Sequence, residues 1–161
     1  MDLLPYDEYA ASLNRKRTAA GVLFRDPRGR VLLVETSYKR EWEIPGGAVE
    51  EHETPWSTAA REVREELGID RSMGRLLAID YIPENGVMPE GLAFVFDGGT
   101  LTEQDVQQFE LTDPEILSVG MYDLADISAK VKPTLAARIM AALNAFGRGD
   151  LALCEDGHRV A

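Results

Sequence analysis

The sequence has few of the features that mark disulfide-rich, zinc-binding or membrane proteins, namely cysteine, histidine and long apolar runs. It contains one cysteine and two histidines in 161 residues. Cys154 alone cannot close an internal disulfide, and no group of cysteine and histidine has zinc-site spacing, which is typical of a cytoplasmic protein. No apolar run is long enough to cross a membrane, and Met1 to Leu13 lacks the basic patch and apolar stretch of a signal peptide. We therefore expect neither a membrane anchor nor a secreted protein.

Basic residues are also scarce. The sequence has 17 Lys and Arg against 28 Asp and Glu, for a formal net charge of -11. Extended contact with a nucleic-acid backbone normally needs a basic face, so we expect no nucleic-acid polymer as partner. Most of the acidity is explained by solubility, and an acidic compact domain is compatible with a symmetric homodimer.

The length and the hydrophobic content of 45% suit one domain with its own core. We expect residues 17–147 to form the core, 1–16 an N-terminal extension and 148–161 a loosely attached C-terminal tail. Apolar and β-branched runs bounded by turn residues predict strands at 17–24, 31–36, 42–44, 75–82, 91–96 and 116–122. A loop is predicted from Pro45 onward. This order of elements predicts a mixed sheet with helices against its faces, an α/β (α+β) fold.

Two helices are predicted from their periodicity and end signals. Thr54 as N-cap, Pro55 in the first turn and Gly68 as the stop predict a helix over 55–67. The second helix is amphipathic and ends near Gly147. Its apolar stripe, which we interpret as core, consists of Leu135, Ile139, Leu143 and Phe146.

The helix predicted at 55–67 has two faces when its residues are placed at about 100° per position. One face is apolar and consists of Trp56, Ala59, Ala60, Val63 and Leu67. The other face carries Glu62, Glu65 and Glu66, whose spacing is i, i+3 and i+4.

Two interpretations of these carboxylates stay open at this point. On a solvated face each like-charge pair costs only about 0.2–0.5 kcal/mol, so the cluster would be ordinary surface. In a cleft, the repulsion at 4 to 5 Å with an effective dielectric of 20 is roughly 3 to 4 kcal/mol per pair, and a divalent cation would relieve it. Carboxylate oxygens are hard ligands, which favours Mg²⁺ or Mn²⁺.

A longer pattern surrounds the glutamates and decides between these interpretations. Five residues separate Gly47 from Glu53, and seven more separate Glu53 from Arg61. With the three glutamates, Leu67, Gly68 and Ile69, the segment Gly47–Ile69 resembles a complete Nudix box, a loop, helix and loop, with every defining position filled. By this resemblance the chain is identified as a member of the Nudix hydrolase family, whose fold is a mixed sheet sandwiched between helices.

The resemblance implies a magnesium-dependent hydrolase that cleaves a diphosphate bond in a small nucleotide-like substrate. Glu62, Glu65 and Glu66 match the family's metal-binding glutamates, and Glu62 is also a candidate general base. The carbonyl of Gly46 and a later carboxylate, matched by spacing to Glu110, are candidate metal ligands. The positions that brace the box are matched by Gly47, Glu53 and Arg61.

Outside the box, Lys39 and Arg40 are candidate phosphate contacts, with ordinary solvated surface as the alternative. The substrate stays open. Pro83, fifteen residues after Gly68, resembles a spacing of ADP-ribose-cleaving members, whereas the short chain resembles those that cleave nucleoside triphosphates. Nucleotide sugars are a further option.

Two other functions are compatible with a Nudix-like segment. A catalytically silent Nudix-fold ligand-binding or sensor module is disfavoured by the complete set of acidic residues. An isopentenyl diphosphate isomerase relies on an active-site cysteine, and Cys154 is remote from the box.

Overall fold

The computed structural model describes residues 2–161 and contains one mixed sheet with helices on both faces, which confirms the predicted α+β class. The elements are α1 (Tyr6–Ser12), β1 (Arg17–Arg25), β2 (Val31–Thr36), β3 (Gly46–Ala48), α2 (Pro55–Leu67), β4 (Leu76–Ile82), β5 (Gly91–Thr100), α3 (Glu103–Gln107), β6 (Ile116–Tyr122), α4 (Leu124–Lys130), α5 (Pro133–Arg148), β7 (Ala152–Glu155) and β8 (His158–Arg159). The strand order is β6-β2-β1-β5-β4-β7-β8, and β3 pairs with β1 outside this path. No helix in the described part of the chain is long and apolar enough to span a membrane.

The sheet is buried on both faces because successive side chains of a strand point to opposite sides. In β1, Val22 and Phe24 pack in the core that includes Ala59, Val63 and Leu67 of α2. Leu23 packs in the other core, which includes Leu135, Ile139 and Ala142 of α5. The two helices predicted from the sequence therefore cover opposite faces of the sheet.

The predicted bounds of α2 are confirmed at both ends. The Thr54 hydroxyl accepts a hydrogen bond from the backbone N–H of Ser57, whose own side chain accepts from the Thr54 N–H. Gly68 has φ 73°, the left-handed conformation that ends a helix and favours glycine. The predicted apolar stripe is wrong at one position, because Trp56 is 61% exposed.

The strand expected at 42–44 is wrong, and the segment expected to be a loop is a strand. Glu43 makes only an isolated bridge to Val34, whereas Gly46–Ala48 forms β3 and pairs antiparallel with β1. A Cβ on Gly46 would lie 2.2 Å from the carbonyl oxygen of Ala20, so this pairing depends on glycine. The glycines that predicted an irregular path instead permit a close backbone approach.

The segment 148–161 is not a loose tail. Strand β7 pairs in parallel with β4, and Ala152 and Cys154 are buried in the core. The turn that connects β7 to β8 is attached to the sheet as well, because the backbone N–H of Gly157 donates to Asp80 in β4 at 3.0 Å. The N-terminal α1, in contrast, has no buried residue.

Candidate active site

A cleft of about 430 Å³ opens where β3, the C-terminal half of α2, β1, β5 and α5 meet. This volume lies in the range of small-molecule sites. Glu66, Gly46 and Gly47 line the cleft, together with Lys39 and Tyr38 from the loop after β2. Arg17 of β1 and Arg138 of α5 also line it. The predicted box and residues distant from it in sequence therefore share one cavity.

Glu66 is the most buried of the three box glutamates, with 7% of its surface exposed. Its Oε2 accepts a hydrogen bond from the Gly46 backbone N–H at 3.1 Å. Burial raises the pKa of Glu66 to about 8, and the neighbouring Glu62, Asp113 and Glu43 raise it further, against the opposing effect of the Gly46 N–H. Glu66 thus lines a cleft, and the solvated-face interpretation is wrong for this residue.

Glu62 and Glu65 converge on one atom. The Nη1 of Arg61 lies 3.0 Å from Glu62 Oε1 and 3.2 Å from Glu65 Oε2. Burial raises the pKa of Glu62 above its ordinary value although Arg61 acts in the opposite direction, while Glu65 is half-exposed. The spacing of the box therefore brings two carboxylates to a single positively charged group.

Glu53 holds Arg61 in this position from the loop before α2. Arg61 Nε lies 2.7 Å from Glu53 Oε2, and Arg61 Nη2 lies 3.0 Å from Glu53 Oε1, a two-pronged contact. The hydrogen bond from Arg61 and that from the Thr58 hydroxyl lower the pKa of Glu53 to about 2. The Arg61 guanidinium is thus held by Glu53 on one side and contacts Glu62 and Glu65 on the other.

Gly47 lies directly against Glu62. A Cβ built on Gly47 would be 2.3 Å from Glu62 Oε1 and 2.7 Å from its Cδ. Ordinary contact with a Cβ begins at 3.4 Å. The absence of a side chain at position 47 therefore lets the Glu62 carboxylate lie against the β3 backbone.

The donor set suits a hard divalent cation such as Mg²⁺ or Mn²⁺, because all three groups are carboxylates. Two of them already share a cationic nitrogen, and Glu66 is buried with no cationic partner in the described part of the chain. Within residues 2–161, however, no three acidic, histidine or cysteine side chains are gathered closely enough to hold a metal ion together. Joint coordination therefore requires at least two of these side chains to turn toward the third.

Of the predicted site residues Lys39, Arg40 and Glu110, only Lys39 lines the cleft. Lys39 lines the cleft and pairs with Glu43, whereas Arg40 is exposed and outside the lining. Glu110 is exposed, and its backbone carbonyl lies against Gly68 at the end of α2. Asp113, and not Glu110, raises the pKa values of Glu62 and Glu66.

Four residues of the site were missed by sequence reasoning. Asp113 lies between α3 and β6 in a segment without periodicity, so no local signal marks it. Glu43 lies in the segment 42–44, where the sequence predicts an apolar strand that does not form. Arg17 and Arg138 reach the cleft from elements that were predicted only as a strand and a core helix.

Comparison with curated proteins finds similarity to phosphohydrolases. Diphosphoinositol polyphosphate phosphohydrolase 2 of Rattus norvegicus is 48% identical over 66 residues, which are 40% of this chain and 37% of that protein. Diphosphoinositol polyphosphate phosphohydrolase 3-alpha of Homo sapiens is 46% identical over 66 residues, 40% of either chain. The match thus spans less than half the length of these curated relatives.

Solved structures and a family model extend the similarity to most of the chain. The MutT protein of Methanosarcina mazei Go1 aligns with a TM-score of 0.64 and 25% identity over 86% of this chain and 98% of that one. The NUDIX domain of Shewanella oneidensis NrtR, in complex with ADP ribose, shares the fold with a TM-score of 0.68 and 16% identity over 89% of this chain and 99% of that one. The model of the NUDIX domain matches residues 15–143. The chain therefore belongs to the Nudix family.

Proposed function

We propose that the protein is a magnesium-dependent Nudix pyrophosphohydrolase. It hydrolyses a phosphoanhydride bond in a nucleoside diphosphate linked to another group, such as a nucleoside triphosphate, ADP-ribose or a nucleotide sugar. The observation that carries the proposal is the convergence of Glu62 and Glu65 on Arg61 beside the buried Glu66, at the edge of a cleft. A solvated acidic helix face would not bury a carboxylate in a cavity.

Within this proposal Glu62, Glu65, Glu66 and the carbonyl of Gly46 hold the cation, which is Mg²⁺ or Mn²⁺. The cation, when bound, neutralises the diphosphate oxygens and positions a water. Glu62 is our candidate for the carboxylate that accepts the proton of this water. The water oxygen bonds to phosphorus while the bridging P–O bond breaks, and a phosphate-containing group leaves.

The supporting residues act through position and charge. Glu53 orients Arg61, and Arg61 in turn keeps Glu62 and Glu65 facing each other. Lys39 lines the cleft beside Glu43 and supplies positive charge to an anionic substrate, which the acidic chain as a whole would repel. Arg40 and Glu110 are exposed, which gives less support to a phosphate contact by Arg40 and to metal binding by Glu110.

The relatives and neighbours support a diphosphate-containing substrate. The names of the curated relatives specify diphosphoinositol polyphosphates, and one solved neighbour is an ADP-ribose pyrophosphatase from Streptococcus suis. In both classes the scissile diphosphate is attached to a bulky group. The cleft continues from Glu66 to Arg138 and offers space for such a group.

The test is incubation with Mg²⁺ and a panel of nucleoside triphosphates, ADP-ribose, nucleotide sugars, dinucleoside polyphosphates and diphosphoinositol polyphosphates, with each product identified. Glu66→Gln should reduce turnover by about 100-fold or more while the fold persists, because the amide oxygen still accepts from Gly46. The matched control is Glu51→Gln, in the same box, whose side chain is 89% exposed and which should leave turnover unchanged.

Undiminished turnover by Glu66→Gln would contradict the assigned site. Product formation from no member of the panel, with ligand-dependent stabilisation against unfolding, would identify a silent binding module instead.

A further inference from the structure

Asp80 and Arg138 form an ion pair that the proposed hydrolysis does not use. The Asp80 side chain is 0% exposed, and its Oδ2 accepts from Arg138 Nε at 2.7 Å. Its Oδ1 accepts from the Gly157 N–H at 3.0 Å. Gly157 is itself fixed against α5, since a Cβ on it would lie 2.3 Å from the Thr134 carbonyl oxygen. The sheet and the β7–β8 hairpin therefore hold the Arg138 side chain.

The terminal nitrogens of Arg138 remain free for a ligand. Asp80 engages only Nε, and no residue among 2–161 accepts a hydrogen bond from Nη1 or Nη2. The side chain is 14% exposed and lines the same cleft as Glu66. A cleft-lining guanidinium whose Nε is fixed by a buried carboxylate, and whose terminal N–H groups have no acceptor in the described residues, is preorganised for an anion such as phosphate.

Sheet register gives the backbone separation between Asp80 and β3, the strand in which the box begins. Ala48 of β3 pairs with Ala19 of β1, Ala19 with Ala93 of β5, and Ala93 with Asp80 of β4. Ala48 and Asp80 are thus separated by three strand spacings, or about 14 Å. Adjacent phosphates of a linear chain share a bridging oxygen and lie much closer together than this. An anion at Arg138 would therefore belong to a part of the substrate beyond the scissile diphosphate.

A second cation lines the same cleft without a carboxylate partner. Arg17 of β1 donates through Nε to the carbonyl of Pro89 and makes no ion pair in the described residues. Its register partner is Gly91, and a Cβ at Gly91 would lie 2.6 Å from Arg17 Cγ, so the stem of Arg17 packs over the start of β5. In a chain with net charge -11, this placement favours an anionic occupant.

We propose that Arg138, oriented by Asp80, binds a second anionic group of the substrate, a phosphate monoester on the moiety attached to the scissile diphosphate. The proposal rests on the proposed function and narrows it to diphosphate compounds that carry a further phosphate. Arg138 is the binding residue, and Asp80 is a positioning residue.

The experiment compares substrates in matched pairs that differ only in the further phosphate. The pairs are ADP-ribose with and without a 2′-phosphate, and a diphosphoinositol with and without additional ring phosphates. Wild-type protein should prefer the phosphorylated member of at least one pair by about tenfold or more in kcat/KM, the effect of a charged hydrogen bond. Arg138→Gln should lose this preference, because its rate on the phosphorylated member should fall by about tenfold more than its rate on the other member, whereas Arg138→Lys should retain part of the preference.

Two further variants separate binding from folding. Arg138→Gln leaves Asp80 buried without its cation, so the double variant Asp80→Asn with Arg138→Gln restores a neutral pair and should show the same loss of preference. Arg148→Gln, on an exposed part of α5, should behave as wild type. Equal rate losses on both members of a pair, or a double variant that keeps the preference, would overturn the proposal.

Calorimetric titration of the same four compounds without metal needs no turnover. It distinguishes a failure of the anion site from a failure of the proposed function, because a tenfold difference in Kd that depends on Arg138 would persist in a protein without hydrolase activity. The absence of any such preference in wild-type protein, in both rates and titrations, would overturn the proposal.

Discussion

Gly47→Ala tests whether the Glu62 carboxylate must lie where the structure has it. The added Cβ would be 2.3 Å from Glu62 Oε1, and ordinary contact begins at 3.4 Å. The carboxylate must therefore move by about 1.1 Å, the difference between these two distances. The atom that moves is the end of a flexible side chain, so the backbone of β3 has no need to shift.

The expected effects on stability and on activity are of very different size. Removing a glycine at a position that tolerates alanine stabilises a protein by about 0.4–1 kcal/mol, which offsets the small cost of turning Glu62. A misplacement of about 1 Å in a catalytic group lowers rates by roughly 100-fold. This corresponds to about 2.7 kcal/mol of lost transition-state stabilisation. We therefore expect a folded protein with nearly unchanged stability and about 1% of wild-type kcat/KM.

The assay is the initial rate with Mg²⁺ on the best substrate of the panel, together with urea unfolding. The matched control is Gly147→Ala in α5, where a Cβ meets nothing within 4 Å. Gly147 lies in the last turn of α5, where alanine is still the better helix former, so this control should be at least as stable as wild type and keep full activity. A Gly47→Ala protein with activity within threefold of wild type would refute the reasoning.

Three further changes probe local structure through the free energy of unfolding. Thr54→Ala removes the N-cap of α2 and should cost about 1 kcal/mol in urea unfolding; no loss would mean that the cap contributes nothing. Gly157→Ala, at φ 85° and against the Thr134 carbonyl, should cost about 1–3 kcal/mol, and unchanged stability would contradict the contact. Lys16 is the main cause that lowers the pKa of Glu90 to about 2, so the stability that Glu90 contributes is present above pH 4.5 and is lost as the pH falls toward 2. Glu90→Gln should therefore be less stable than wild type at pH 6 but not near pH 2, and a difference independent of pH would exclude this cause.

The box was predictable because its geometry is local. Thr54, Pro55 and Gly68 act within one helical turn of the ends of α2, and the spacing of the glutamates places them on the helix without reference to the rest of the chain. The Glu53–Arg61 pair is also a contact within the same segment. The Arg138 end of the cleft, in contrast, is built from segments that are distant in sequence.

The elements that were missed depend on partners distant in sequence. Strand β3 forms only because the edge of β1 at Ala19–Gly21 lies beside it. Strand β7 is four residues long and acquires its place through β4, more than seventy residues earlier. Asp113 raises the pKa of Glu66 from an irregular segment, whereas the prediction of Glu110 rests on spacing alone. In a loop, the number of residues between two positions does not determine where a side chain lies.

The residues proposed for catalysis and the residue proposed for substrate choice therefore come from different parts of the chain. The proposed catalytic end comes from one continuous segment that ends before β4. Arg138, in contrast, owes its orientation to Asp80 of β4 and indirectly to the β7–β8 hairpin through Gly157. A substitution in this hairpin can therefore change which phosphorylated group is bound while the glutamates of α2 keep their geometry. For that reason Gly157→Ala should lower turnover of the phosphorylated member of a substrate pair more than turnover of the unphosphorylated member. Equal losses of turnover on both members would argue that the two ends of the cleft are not independent.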